Sequence, residues 1–134
     1  RLLPPAKITR SRVEHAIIGE ASVIEDADIS DSVIGIRSYI GAGARLHRTV
    51  LMGADYYRWE APDTRARVEG PRLPGIGAGS RIEEAIVDKN ASVGRNCVIT
   101  NAARVQEGAG PGWQIRDGVV VILKNAEIPD GTVI

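Results

Sequence analysis

Ser32-Val33-Ile34-Gly35-Ile36-Arg37-Ser38-Tyr39-Ile40-Gly41-Ala42-Gly43-Ala44-Arg45-Leu46 is the stretch on which the fold reading turns. Ile34, Ile40 and Leu46 stand six residues apart, and Met52 continues the series. Four residues after Ile34 and Ile40 come Ser38 and Ala44, both small, and each of these two isoleucines is followed directly by glycine. A period of six is neither the 3.6 of a helix nor the alternation of a long strand. It fits short flat strands separated by tight turns, each hexad forming one side of a triangular prism. The aliphatic residue points inward and the small one fits beside it near the corner. Stacked coils then pair backbone groups at about 4.7–4.9 Å.

The rhythm extends in both directions. Upstream, Ile17, Val23 and Ile29 are spaced by six, with Ala21, Ala27 and Val33 four residues later, and one five-residue step leads on to Ile34. Downstream, Ile76 and Ile82 are six apart, Val87 follows after five, and Val93 and Ile99 resume at six. Ala91 and Cys97 take the small positions there, and Ile34, Ile40 and Leu46 align with Val87, Val93 and Ile99. Ile122, Ile128 and Ile134 form a third run, with Ala126 and Thr132 as its small residues. The 134 residues hold 16 Ile and 13 Val against 6 Leu. Stiff β-branched side chains suit strands, so the composition agrees with an all-β chain of hexapeptide repeats coiled into a parallel β-helix.

Two stretches break the repeat, at about 53–75 and 101–112. They read as loop excursions from a single domain that covers 1–134, and such excursions often carry binding or assembly. Tyr56, Tyr57 and Trp59 concentrate much of the chain's small aromatic content in the first, which points to a contact surface.

Composition excludes several functions. Seventeen basic side chains balance 17 acidic ones, so the footprint of a nucleic-acid or acidic-membrane binder is missing. The longest apolar run, Val119 to Leu123, is far shorter than the roughly 20 residues of a membrane span. Nothing at the start resembles a signal peptide, and a chain that begins at Arg1 reads as a fragment or processed product. Cys97 is the single cysteine, so an internal disulfide is impossible and a reducing compartment is expected. Its place in the repeat makes it a corner filler rather than a nucleophile. Asp26, Asp28 and Asp31 look like a cluster, but turns of the repeat favour Asp and Asn, and no grouping has metal-ligand spacing. No phosphate-loop motif is present. Positive charge is almost all arginine, fourteen against the three lysines Lys7, Lys89 and Lys124, which draws attention to the lysines.

Several blocks are more specific than the repeat. In order they are Leu3-Pro4-Pro5-Ala6-Lys7, Ser32 to Ser38, Leu51-Met52-Gly53-Ala54-Asp55-Tyr56-Tyr57, Pro74-Gly75-Ile76-Gly77, Ile86-Val87-Asp88-Lys89-Asn90-Ala91, and Val121-Ile122-Leu123-Lys124-Asn125-Ala126-Glu127-Ile128-Pro129-Asp130-Gly131-Thr132. Over nearly its whole length the chain resembles the C-terminal domain of ADP-glucose pyrophosphorylase (glucose-1-phosphate adenylyltransferase), nearest the cyanobacterial and plant type. The resemblance implies a left-handed β-helix. It also implies a parent enzyme that makes ADP-glucose and pyrophosphate from ATP and glucose 1-phosphate for glycogen or starch synthesis. In that family the chemistry belongs to an N-terminal Rossmann-like domain with its Mg2+. The resemblance therefore implies that the present domain is inactive alone, has no cofactor of its own, and acts in allosteric regulation and oligomerisation. Its partners would be the catalytic domain and sister subunits of a homo- or hetero-tetramer, in the bacterial cytoplasm or in a plastid.

The family places lysines that bind phosphoglycerate-like activators and inhibitory phosphate at the positions of Lys89 and Lys124, with Arg116 a further candidate from the matching Ile115-Arg116 pair. An ammonium is a compact point charge suited to a phosphate that must come and go. The two lysines are expected about two coils apart on one face. Asp117 follows Arg116 where the family has Ser, and an added carboxylate should weaken an anion site. Two rivals remain. A hexapeptide acyltransferase needs a histidine base, for which only His15 and His47 are available. A purely structural solenoid would show assembly without an effector response.

Overall fold

The computed structural model describes residues 3–55 and 74–134, which form sixteen strands and no helix. Tyr56, Tyr57 and Trp59 lie outside the described residues. No described helix is long and apolar enough to cross a membrane. One sheet contains β1 (Lys7–Thr9), β3 (Val23–Glu25), β5 (Tyr39–Ile40), β8 (Gly75–Ile76), β11 (Ser92–Val93) and β16 (Glu127–Ile128), in that order and all parallel. The remaining coil strands are β2 (Arg12–Ile18), β4 (Asp28–Ile34), β6 (Arg45–His47), β7 (Val50–Leu51), β9 (Arg81–Glu83), β10 (Ala85–Val87), β12 (Val98–Ile99) and β15 (Val119–Ile122).

β4 shows how the second sheet folds into two faces. Its first half pairs with β6 (Asp28 with Arg45, Ser30 with His47) and its second half with β7 (Val33 with Val50, Ile34 with Leu51). The strand bends between them at Asp31, whose φ is 47°. With the first sheet this gives three faces, closed by turns, around one apolar interior. Register passes from coil to coil without reversal, Lys7 beside Val23 and Val23 beside Tyr39, as a parallel β-helix requires.

Each corner is a column of left-handed residues. His15, Asp31, Arg48, Glu84 and Asn101 form one, and Ala21, Arg37, Asn90 and Asn125 belong to another. Positive φ costs an ordinary L-residue about 1–2 kcal/mol and Asn or Asp less, which accounts for the asparagines there. Corner hydroxyls replace missing ladder bonds. Ser22 Oγ accepts from the Ser38 N–H at 3.2 Å, Ser32 Oγ from Thr49 at 3.1 Å and Ser80 Oγ from Cys97 at 3.1 Å. Among the described residues no buried side-chain polar atom lacks a partner. Cys97 itself is fully buried, in the column of Ala27, Ala44 and Ser80.

The inward series is Ile24, Ile29, Ile34, Ile40, Leu46, Leu51, Ile76, Ile82, Val87, Val93, Ile99, Ile122 and Ile128. It corrects the expected series at four places. Ile17 points outward at 70% exposure, and Ile24 rather than Val23 is fully buried. Ser32 takes the small position expected of Val33, which is 42% exposed, and Leu51 is inside while Met52 is 51% exposed. Val33 and Met52 slip because the corner at Asp31, Arg48 and Glu84 is crossed in five residues (Ile29 to Ile34, Leu46 to Leu51, Ile82 to Val87). Val23 and Ile17 slip because the step from Ile24 to Ile29 across Asp26 is also five, whereas the expected series allowed a five-residue step only once per block.

The second excursion leaves β12 at Asn101 and returns at β15. Inside the stretch expected to loop it forms β13 (Glu107–Gly110) and just past it β14 (Trp113–Arg116), which extend the β15 face antiparallel (Glu107 with Arg116, Trp113 with Ile122). Asn101 staples its base, donating from Nδ2 to the carbonyls of Val105 at 2.9 Å and Gly118 at 3.0 Å.

Candidate functional site

Lys89 and Lys124 follow the ends of β10 and β15, which are direct neighbours: Ala85 pairs with Val120 and Val87 with Ile122. Two further bonds continue the register past the strands, Asp88 N–H to Ile122 O at 2.9 Å and Asn125 N–H to Lys89 O at 3.0 Å. The two lysines therefore occupy the same place in adjacent coils, not two coils apart as expected. The excursion at 101–118 consumes the chain that would otherwise have formed another turn between them. Each lysine precedes a left-handed asparagine, Asn90 (φ 60°) and Asn125 (φ 62°), and the corner turns both ammonium stems to the same edge of the prism.

The two rungs differ in what meets them. Asp55 forms an ion pair with Lys89, and its carboxylate also accepts from Asn90 Nδ2 at 2.9 Å. The Asp55 N–H donates back to Asn90 Oδ1 at 2.9 Å, so backbone and side chain are both held. The Lys89 contact, then the Asn90 bond, hold the Asp55 carboxyl below the usual carboxylate range despite a small opposing desolvation, with a smaller contribution from the Lys124 charge. Lys124 is exposed, and among the described residues no carboxylate pairs with it. The Asp88 carboxylate is turned to its own chain, accepting from the Lys89 N–H at 2.6 Å.

Gly53 explains how Asp55 reaches this edge. In its coil the left-handed residue is Gly53 (φ 94°), one place ahead of the corner column, and a Cβ there would lie 2.4 Å from Ile36 O. Only glycine fits, and the chain leaves the corner early enough to set Asp55 beside Lys89 and Asn90. Asp55 is the site residue that sequence reasoning missed. Lys-Asn-Ala recurs at 89–91 and 124–126, which marks two equivalent corners but carries no sign of Asp55.

Arg116 is not brought to this edge. It sits on β14 opposite Val119, at the start of β15, whereas Lys124 follows the end of that strand. Its guanidinium lies 3.6 Å from Glu107 and donates to Gln114 at 3.2 Å. Asp117 lies at that same far end, its N–H bonded to Glu107 Oε1 at 3.3 Å. Between the excursion and the coil there is an open groove of about 490 Å³, lined by charges of both signs that include Arg81, Glu83, Glu84, Arg104 and Asp117. His15 and His47 flank Asp31 (Nδ1 to carboxylate 3.4 and 4.0 Å), and His47 Nδ1 is 2.8 Å from Ser30 Oγ. This polar ladder follows the corner column, and Ser30 and His47 line an open groove of about 250 Å³ together with Asp28, Arg45, Arg81 and Glu83. Among the described residues no group of three or more His, Cys, Asp or Glu is placed to hold a metal ion.

Comparison with known proteins agrees with the coil geometry. Residues 1–133 match the family model described as the GLGC left-handed parallel beta-helix domain. The whole chain is similar to the glucose-1-phosphate adenylyltransferase small subunit, chloroplastic/amyloplastic, of Triticum aestivum, with 46% identity over 137 residues. The match covers 29% of that relative's length.

Proposed function

This chain belongs to the family of GLGC left-handed parallel β-helix domains, and on that premise we propose that it is the regulatory and assembly module of a glucose-1-phosphate adenylyltransferase. In the parent enzyme ATP and glucose 1-phosphate give ADP-glucose and pyrophosphate, in the bacterial cytoplasm or in a plastid. The module binds phosphorylated anionic effectors at Lys89 and Lys124. The observation that carries this reading is that the two lysines stand on adjacent rungs, about one strand spacing apart, with the Asp55 carboxylate coming to Lys89 from the coil on its other side. Two like charges so close repel unless a multiply charged anion bridges them, and a phosphate dianion has the charge and the acceptor oxygens to do so. Arg116 takes part only if the effector reaches along the β14–β15 face, so its contribution is the smallest of the three.

The assembly role is supported by the outward side of the β15 face. Ile17, Val33, Val50 and Ile86 stand in one register column across successive coils, all exposed, with Met52 and Ile36 beside them. A contiguous apolar ladder on an otherwise polar surface marks an interaction site, here for the catalytic domain or a sister subunit.

Titration of inorganic phosphate and a phosphoglycerate by NMR tests the effector reading. Binding of about millimolar strength is expected for the wild-type chain, weakened severalfold in Lys89→Ala and Lys124→Ala. Equal affinities in all three proteins would reject it.

A further inference from the structure

We infer that the Asp55 carboxylate is a built-in competitor for anions at Lys89, which sets the affinity of the proposed effector site and is displaced when a phosphate binds. The inference rests on the reading of Lys89 and Lys124 as that site. Asp55 presents two carboxylate oxygens to an ammonium (Lys89) and an amide N–H (Asn90), the donors that an incoming phosphate would use. It is held there by a device separate from the lysine: the reciprocal bond of its N–H to Asn90 Oδ1 and the early turn at Gly53. The carboxylate is thus delivered to the lysine by the fold rather than found by chance on a long side chain.

Displacement is easy on physical grounds. The Lys89 and Asp55 side chains are about half exposed, and an ion pair in water-accessible surroundings is worth little. One carboxylate can neutralise only one of two adjacent ammonium groups and leaves Lys124 without a counter-charge among the described residues. A phosphate dianion satisfies both rungs at once. Asp55 therefore screens the site against singly charged anions, which would gain only what Asp55 already supplies, and yields to dianions. Asp55 is an affinity-setting residue: it makes no contact with the bound effector and acts by occupying Lys89 in its absence.

The test titrates inorganic phosphate against the wild type, Asp55→Asn, Asp55→Ala, Lys89→Ala and Asp55→Asn/Lys89→Ala, followed by NMR spectra that also report folding. Both Asp55 substitutions are expected to tighten phosphate binding about two- to fivefold, the range an exposed ion pair supplies, and the gain should shrink when Lys89 is absent. Unchanged or weaker binding in Asp55→Asn and Asp55→Ala, with Lys89→Ala still weakened, overturns the competitor role and leaves the anion site standing. The same gain with and without Lys89 also overturns it, because Asp55 would then act as a general negative charge. Equal binding by the wild type and Lys89→Ala, or none by any protein, overturns the site and the competitor together.

Discussion

Lys89-Asn90-Ala91 and Lys124-Asn125-Ala126 have the same letters, the same corner and the same left-handed asparagine, yet they differ electrostatically. Lys89 and Asn90 are occupied by Asp55, and Lys124 is not paired with any described carboxylate. A solenoid makes positions equivalent by repetition, and an excursion makes them unequal by bringing in a residue that no other coil has. The repeat supplies two cations at one spacing, and the departure of the chain after Gly53 decides which of them is free.

The comparison depends on both rungs staying in register, so its largest disruption should come from the core beneath them. Ile122 is fully buried at the end of β15 and pairs with Val87. Ile122→Ala should cost about 2–5 kcal/mol in urea unfolding, because the narrow prism cannot collapse around the lost volume. It should also weaken phosphate binding, by loosening the Lys124 rung. A loss under about 1 kcal/mol would mean that the coil relaxes more than its packing suggests.

Gly53→Ala comes next. The new Cβ would meet Ile36 O in a backbone conformation that L-residues avoid, so a loss of about 1–3 kcal/mol is expected. Asp55 should leave Lys89 as the turn shifts, making the two rungs more alike. NMR shifts of the Asn90 side-chain amide would report that release, and an unchanged amide would show that Asn90 alone positions Asp55.

Asn90→Ala and Asn125→Ala sharpen the contrast further. Both place alanine at positive φ and should lose about 1 kcal/mol for that reason alone. Asn90 also exchanges two bonds with Asp55, so its substitution should cost about 0.5–1.5 kcal/mol more. Equal losses in thermal or urea unfolding would mean that the Asp55 contacts add nothing to stability.

Much of this was legible in the residues. The spacing of Ile34, Ile40 and Leu46 sufficed for the coil, and the small-residue column already accounted for Cys97. The phase slipped at Ile17 and Val23 because each has an aliphatic neighbour, Ile18 and Ile24. Where two adjacent residues are both apolar, periodicity alone cannot choose between them; the five-residue step from Ile24 to Ile29 across Asp26 does. The adjacency of Lys89 and Lys124 is missed when their 35-residue separation is counted as two coils, although 101–112 already reads as an excursion; residues 101–118 are spent on a hairpin outside the coil. Arg116 read as a companion of the lysines because it matches a family pair, but antiparallel pairing carries it to the opposite end of β15. Asp55 gave no warning because its partners lie across an excursion, where no period connects them.

The smallest expected effect concerns acid. Asp55 has a depressed pKa in the folded chain, so the folded state holds its carboxylate in the charged form more strongly than the unfolded state does. Its contribution to stability is complete above the unfolded carboxylate pKa of about 3.9 and is lost as the pH falls through the lower folded value. Between neutral pH and about pH 5 it should not change with pH, and below about pH 4 the wild type should lose stability with a slope to which Asp55 contributes. Asp55→Asn removes that contribution, so the urea midpoints of wild type and variant should converge as the solution is acidified. Lys124 offers the internal control: with no described carboxylate paired to it, Lys124→Ala should leave the acid slope nearly unchanged. If Lys124→Ala altered the slope as much as Asp55→Asn, the two rungs would share Asp55 in solution and the asymmetry between them would fail.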